Sequence, residues 1–205
     1  MHQYHIVERG LPIDKASKAL IMLHGRGSNA ADMLNLAKVF DDGQFYIAAP
    51  EATNHAWYPY SFMAEDKSNE PWLQSAVETI KRLIDETSRH IPKNQIYLMG
   101  FSQGACLSLE VSSRYAEKYG GIAALSGGLI GKQIDPSRYH GNFEGTKVFI
   151  GNSDIDPHIP LERCVESKEV MDSLGANVTL KVYKGMGHTV NDDEINWIRK
   201  HMLNN

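Results

Sequence analysis

Ser102 lies in the run Gly100-Phe101-Ser102-Gln103-Gly104. A serine with glycine two residues away on each side fits a tight turn in which nothing bulky crowds the hydroxyl. A short apolar run, 95–99, precedes it, and a helical pattern opens near Gln103. The predicted context is therefore strand–turn–helix, which lifts Oγ above the sheet edge and aims helix N-terminal N–H groups toward developing negative charge. A hydroxyl attacks poorly until a base takes its proton, so partners are required. Of nine histidines, His188 is the one in a loop after the last predicted strand, in Gly185-Met186-Gly187-His188. An acid to orient it is expected in the loop after residues 147–151, where Asp156 directly precedes Pro157 and Asp154 is the alternative. The fixed φ of proline favours Asp156 by steadying that turn. The chain order Ser102, Asp156, His188 is the one that loops on successive strand ends of such a sheet produce.

An attacked carbonyl also needs donors for its oxygen. The backbone N–H of Gln103, next to the nucleophile, is one candidate. The second is the N–H of Arg26, in the glycine-bearing loop His24-Gly25-Arg26-Gly27-Ser28 after the first core strand. The Arg26 side chain contacts substrate or faces water, and the His24 ring supports its loop. The aromatic stretch containing Trp57, Tyr58, Tyr60, Phe62 and Met63 offers an acyl pocket, with Trp57 and Tyr58 the best candidates. His158, two residues beyond Asp156, can line the site without being its base. Cys106 reads as a small core residue within the helix.

The elements that must position these residues alternate. Strands are predicted at 18–23, 45–49, 95–99, 121–125, 147–151 and 178–183, with an extra N-terminal strand near 3–8. Helices are predicted at 30–40, 71–88, 103–118, 161–174 and 193–203. Pro71 suits the first helical position, and Gly175 the C-terminal cap of the fifth strand's following helix. Continuous apolar strands between amphipathic helices indicate an α/β fold, with a mainly parallel sheet covered on both faces. The irregular stretches 51–70 and 126–146 follow strands, where open α/β sheets place their sites.

Composition bounds the alternatives. The chain has 205 residues and 42% hydrophobic residues, enough for one domain over 1–205 with little left for insertions. The 21 Lys+Arg against 25 Asp+Glu give a formal charge of −4, with no basic block, which argues against nucleic acid and anionic membrane partners. Two cysteines make no disulfide framework. No apolar run reaches about 18 residues and the start does not read as a signal peptide, so stable membrane insertion is not expected and a cytoplasmic protein is. GRGS lacks the spacing of a nucleotide-binding loop, no HExxH is present, and His2 and His5 stand near an end expected to fray. No cofactor and no metal are expected.

Taken together, His24-Gly25-x-Gly27, GFSQG at 100–104, DPHIP at 156–160 and GMGH at 185–188 resemble the phospholipase/carboxylesterase group of α/β-hydrolases, which includes acyl-protein thioesterases. The resemblance spans roughly residues 18–203, and Trp57-Tyr58-Pro59-Tyr60 is similar to small bacterial esterases. It implies a compact α/β-hydrolase fold without a large lid, a nucleophile at Ser102, an acid at Asp156, a base at His188, and oxyanion donors at the N–H groups of Arg26 and Gln103. The implied activity is cofactor-free hydrolysis of carboxylic esters, with small to medium acyl groups favoured by the missing lid. Thioester or lysophospholipid hydrolysis, and a non-catalytic binding module on the same fold, are the alternatives. Exposed apolar side chains beside the site would support a homodimer. The chain departs from the eukaryotic thioesterases, which commonly have HGLG and HGDxDP where it has His24-Gly25-Arg26-Gly27 and Asn152-Ser153-Asp154-Ile155-Asp156-Pro157.

Overall fold

A computed structural model describes residues 1–203, so the last two residues of the expected 1–205 unit lie outside the described residues. Seven strands form one sheet: β1 (Ile6–Gly10), β2 (Lys18–Leu23), β3 (Phe45–Pro50), β4 (Ile96–Phe101), β5 (Gly121–Leu125), β6 (Lys147–Ser153) and β7 (Asn177–Tyr183). Their order is β1-β3-β2-β4-β5-β6-β7. Only β1 runs antiparallel, against β3; the other pairs are parallel. The helices are α1 (Ala30–Ala37), the single turn α2 (Asp66–Asn69), α3 (Trp72–Thr87), α4 (Gln103–Arg114), α5 (Leu161–Ser173) and α6 (Asp192–Ile198). This is the α/β-hydrolase architecture expected from the motifs.

The central strands are apolar on both faces because both are covered. Ile21, Leu23, Ala48, Leu98 and Ile122 join the core that contains Leu73, Ile80, Leu109 and Cys164, from α3, α4 and α5. Their neighbours Leu20, Met22, Ile47, Met99 and Ala123 join a second core with Met33 and Leu34 of α1 and Ile198 of α6. Successive residues of a strand point to opposite faces, so one apolar run supplies both layers. Among the described residues no helix is long and apolar enough to cross a membrane.

Element ends differ from the sequence expectation where local hydrogen bonds intervene. The helix expected to reach residue 118 ends at Arg114, because Ala116 leaves it to pair with the 140–142 segment: its N–H donates to His140 O and its carbonyl accepts from Asn142 N–H. The final helix ends at Ile198 and continues as a wider turn over Arg199–Leu203. Pro71 stands just before α3, at its N-cap. Gly175 has φ +82°, and paired bonds from Gly175 N–H to Asp172 O and Ala176 N–H to Met171 O close α5. Where fraying is expected, His2 is tied to the body: its ring bonds Trp57 O and accepts from Thr53 N–H, and it packs against Trp57 and Trp72.

The strand order reverses between β2 and β4. The chain leaves β2 for β3 on one side, then crosses back to β4 on the other. In an open α/β sheet such a reversal leaves a crevice at the carboxyl ends of the two strands. The loop His24–Ser28 follows β2 there, and Ser102 follows β4.

Candidate active site

Ser102 sits between β4 and α4 with φ +54° and ψ −118°, a conformation that L-residues rarely adopt and that costs about 1–3 kcal/mol. The turn holds it because the surroundings leave no alternative. A Cβ on Gly100 would stand 2.2 Å from Gly104 O, and one on Gly104 would stand 2.1 Å from Leu23 O. The two glycines therefore let α4 close onto β4 and β2. Ser102 N–H donates to Leu125 O at 3.0 Å, tying the turn to β5.

His188 Nε2 is 2.8 Å from Ser102 Oγ, and His188 Nδ1 is 2.7 Å from Asp156 Oδ2. The structure thus brings together the three residues singled out in the sequence. Burial of Asp156 would raise its carboxyl, but the His188 ring and the N–H groups of His158 and Ile159 outweigh that and hold it below the ordinary value. Oδ1 accepts those two N–H groups at 2.8 and 3.1 Å, so both oxygens of the carboxylate are engaged. An ionised Asp156 accepts from Nδ1–H, which leaves the Nε2 lone pair facing the serine hydroxyl. The His188 ring also packs against Phe101, centroids 5.0 Å apart, and edge-on against His158 at 4.8 Å.

The loops after β6 and β7 are fastened to each other. Asp154, the alternative acid, accepts from Gly185 N–H at 2.7 Å, and Ser153 Oγ accepts from Gly187 N–H at 3.0 Å. Asp154 therefore holds the histidine loop and leaves the imidazole to Asp156. Behind that loop, Asn191 and Glu194 form a reciprocal cap at the start of α6.

The backbone N–H groups of Arg26 and Gln103 have no hydrogen-bond partner among the described residues. Gln103 N–H is at the first turn of α4, where no intrahelical acceptor exists. Gly25, next to Arg26, packs on the Ser102 turn: a Cβ there would lie 3.4 Å from Ser102 Cβ. Two free donors thus belong to the two segments that flank Ser102. The His24 ring supports this arrangement. It is fully buried, accepts from Ala52 N–H through Nε2 at 3.0 Å, and so donates through Nδ1 to Gly25 O at 2.7 Å. Burial lowers its pKa, consistent with a neutral ring.

A cleft of about 470 Å³ opens over Ser102 and His188. It is lined by Tyr58, Tyr60, Ser61 and Phe62 of the 57–62 segment, by Phe101 and Cys106 around the Ser102 turn, and by His158 and Ile159 from the β6 loop. Trp57 is not among the lining residues. It is fully buried beneath the loop, with its indole N–H donating to His24 O, so its place as a pocket residue is corrected to a structural one. Tyr58 does line the cleft. The Arg26 side chain is exposed and lines the cleft, and its guanidinium donates to the carbonyls of Tyr58, Pro59 and Tyr60. The Cys106 thiol, pushed up to about 12 by burial, is no nucleophile at neutral pH. Phe101 and Ile159 were missed as cleft residues. Both sit beside residues that were found, and position within the two motifs was the available signal.

With this geometry in hand, comparisons with known proteins agree. The family model described as phospholipase/carboxylesterase matches residues 4–205. The chain is similar to acyl-protein thioesterase 1 of Saccharomyces cerevisiae, 33% identical over 89% of this chain and 90% of the yeast protein. It is similar to a crystal structure of a phospholipase/carboxylesterase from Dyadobacter fermentans, 45% identical, with a TM-score of 0.97 over 98% of this chain and 97% of that one. A Bacillus cereus carboxylesterase, 22% identical with a TM-score of 0.76 over 95% of this chain and 91% of that one, shares the fold. The identity to the bacterial protein exceeds that to the yeast one, and the chain belongs to the phospholipase/carboxylesterase family as a carboxylesterase-type hydrolase.

Proposed function

We propose that the chain, as a single domain, hydrolyses carboxylic esters of small to medium acyl groups, with Ser102 as nucleophile, His188 as base and Asp156 as orienting acid. The observation that carries this reading is the unbroken hydrogen-bonded line from Asp156 through His188 to Ser102 at 2.7 and 2.8 Å. His188 Nε2 takes the Ser102 proton as Oγ attacks the acyl carbonyl. Asp156 stabilises the imidazolium that results. The N–H groups of Arg26 and Gln103 hold the oxyanion of the tetrahedral intermediate. His188 then gives its proton to the leaving alcohol, and water attacks the acyl-enzyme by the same route. No step requires a cofactor.

A binding module without catalysis would have no need of a strained nucleophile turn aimed at an oriented imidazole. Thioester hydrolysis is the second reading, favoured by the likeness to the yeast thioesterase. Matched ester and thioester substrates separate the two through their kcat/KM ratio. The test of the main reading is an S102A variant assayed on p-nitrophenyl butyrate. The expected result is a folded protein whose hydrolysis falls by more than about 10³-fold. Wild-type rates in S102A would refute the assignment.

A further inference from the structure

The segment 57–62 belongs to no strand, yet side chains and backbone groups from other parts of the chain fix it. Trp57 N–H donates to Gln103 Oε1 at 2.8 Å, and Gln103 Nε2 donates to Tyr58 O at 2.8 Å. Arg26 adds bonds to Tyr58 O, Pro59 O and Tyr60 O at 2.8, 2.8 and 2.6 Å. Asn69 completes the set: its Oδ1 accepts from Tyr60 N–H at 2.9 Å and its Nδ2 donates to Ser61 O at 2.8 Å. Gly131 N–H then reaches Phe62 O at 2.8 Å. Backbone polar groups outside a ladder must find partners somewhere. Here they find them in two buried carboxamides, Gln103 and Asn69, in one guanidinium and in the Gly131 N–H.

Tyr60 is the one exposed aromatic residue of this segment. Its N–H and its carbonyl are both held, yet the residue is 60% exposed and lines the cleft. Tyr58 and Phe62, on either side, are buried. An aromatic ring on an immobilised backbone offers contact area with little further loss of conformational freedom on binding.

We propose that Tyr60 is a specificity-determining residue that covers the outer part of the substrate's acyl chain, and that Asn69 and the Arg26 side chain are positioning residues that hold it there. This rests on the ester-hydrolase reading above. The inner part of the chain meets Tyr58 and Phe62. Selectivity is then set by a fixed wall and not by a moving cover.

The test measures kcat/KM for p-nitrophenyl esters from C2 to C8 acyl groups, and for butyrate esters of alcohols of increasing length. In Y60A the C8-to-C2 ratio is expected to fall at least five-fold, while Y60F keeps the ratio within two-fold of wild type. N69A is expected to lower the same ratio with Tyr60 in place, its melting temperature checking that the protein is folded. A ratio within two-fold of wild type in Y60A would overturn the proposal, as would a change confined to the alcohol series. Y60F matching Y60A would also overturn it, because the hydroxyl and not the ring would then carry the effect. The Y60A and Y60F pair decides the matter if N69A does not fold. S102A, run on the same esters, separates the two levels: hydrolysis surviving in S102A sinks the parent reading, whereas an inert S102A with an unchanged Y60A ratio sinks only this one.

Discussion

Asp156 and Glu194 are two acidic residues that the fold pushes in opposite directions. Asp156 is held ionised by hydrogen bonds from His188, His158 and Ile159. Its depressed folded pKa gives stability that is present above the unfolded value and lost as pH falls through the folded one. Replacing it by Asn leaves the shape of the side chain but removes the charge that orients and stabilises the His188 imidazolium. D156N is expected to lower kcat by about 10³–10⁴-fold on p-nitrophenyl butyrate and, at neutral pH, to lower the melting temperature as the stability carried by the carboxylate is lost. Glu194 is fully buried behind the His188 loop, and burial raises its carboxyl from 4.5 to about 7, against the pull of the Asn191 N–H. Here the native state holds the extra proton between those values. Stability is full below about 4.5 and is lost as pH rises through about 7, by the order of 3 kcal/mol. Thermal melts from pH 4.5 to 8 are expected to show this decline in the wild-type protein and a flatter profile in E194Q. The triad was legible because each member stands in a motif. Glu194 as a titrating group was not, since burial is a property of the packed α6 and β6 and not of the residue type.

At the scale of elements, the strand–turn–helix around Ser102 is the part most fully written in the sequence. Glycine spacing, an apolar strand and a helical pattern all agree there. Its tolerance is correspondingly small. G104A places a methyl 2.1 Å from Leu23 O, a backbone atom that cannot move without shifting β2. Chemical denaturation of G104A is expected to show a loss of more than about 2 kcal/mol, or no folded protein at all. Wild-type stability would show that α4 can move away from β2. The aromatic loop was read less well. Trp57 and Tyr58 look alike as candidates because both are aromatic and adjacent. Which of them faces the cleft is decided by distant partners, His24 under Trp57 and Arg26 over the 58–60 carbonyls, and local patterning does not carry those. The same holds for His2, whose position near the chain start suggested fraying while Trp57, Thr53 and Trp72 hold it in place.

At the scale of the molecule, the β-α alternation gave the parallel sheet and its two covered faces, and the reversal of strand order between β2 and β4 then located the cleft. The antiparallel placement of β1 was not legible, because the sequence of a short N-terminal strand does not encode its direction. A chain whose elements are nearly all used in the sheet and its cover has little material for a lid, and the cleft walls are the loops described above. Across p-nitrophenyl esters, kcat/KM is expected to peak at or below about C8 and to decline beyond it, since further methylenes gain no buried area to offset their ordering. A strong preference for C12 or longer would contradict a lidless cleft. The most direct measurement of the central claim is reaction with a fluorophosphonate followed by peptide mass mapping. The account predicts one adduct per chain, on Ser102, with ester hydrolysis lost in parallel. An unlabelled but active protein, or an adduct on a different residue, would contradict it.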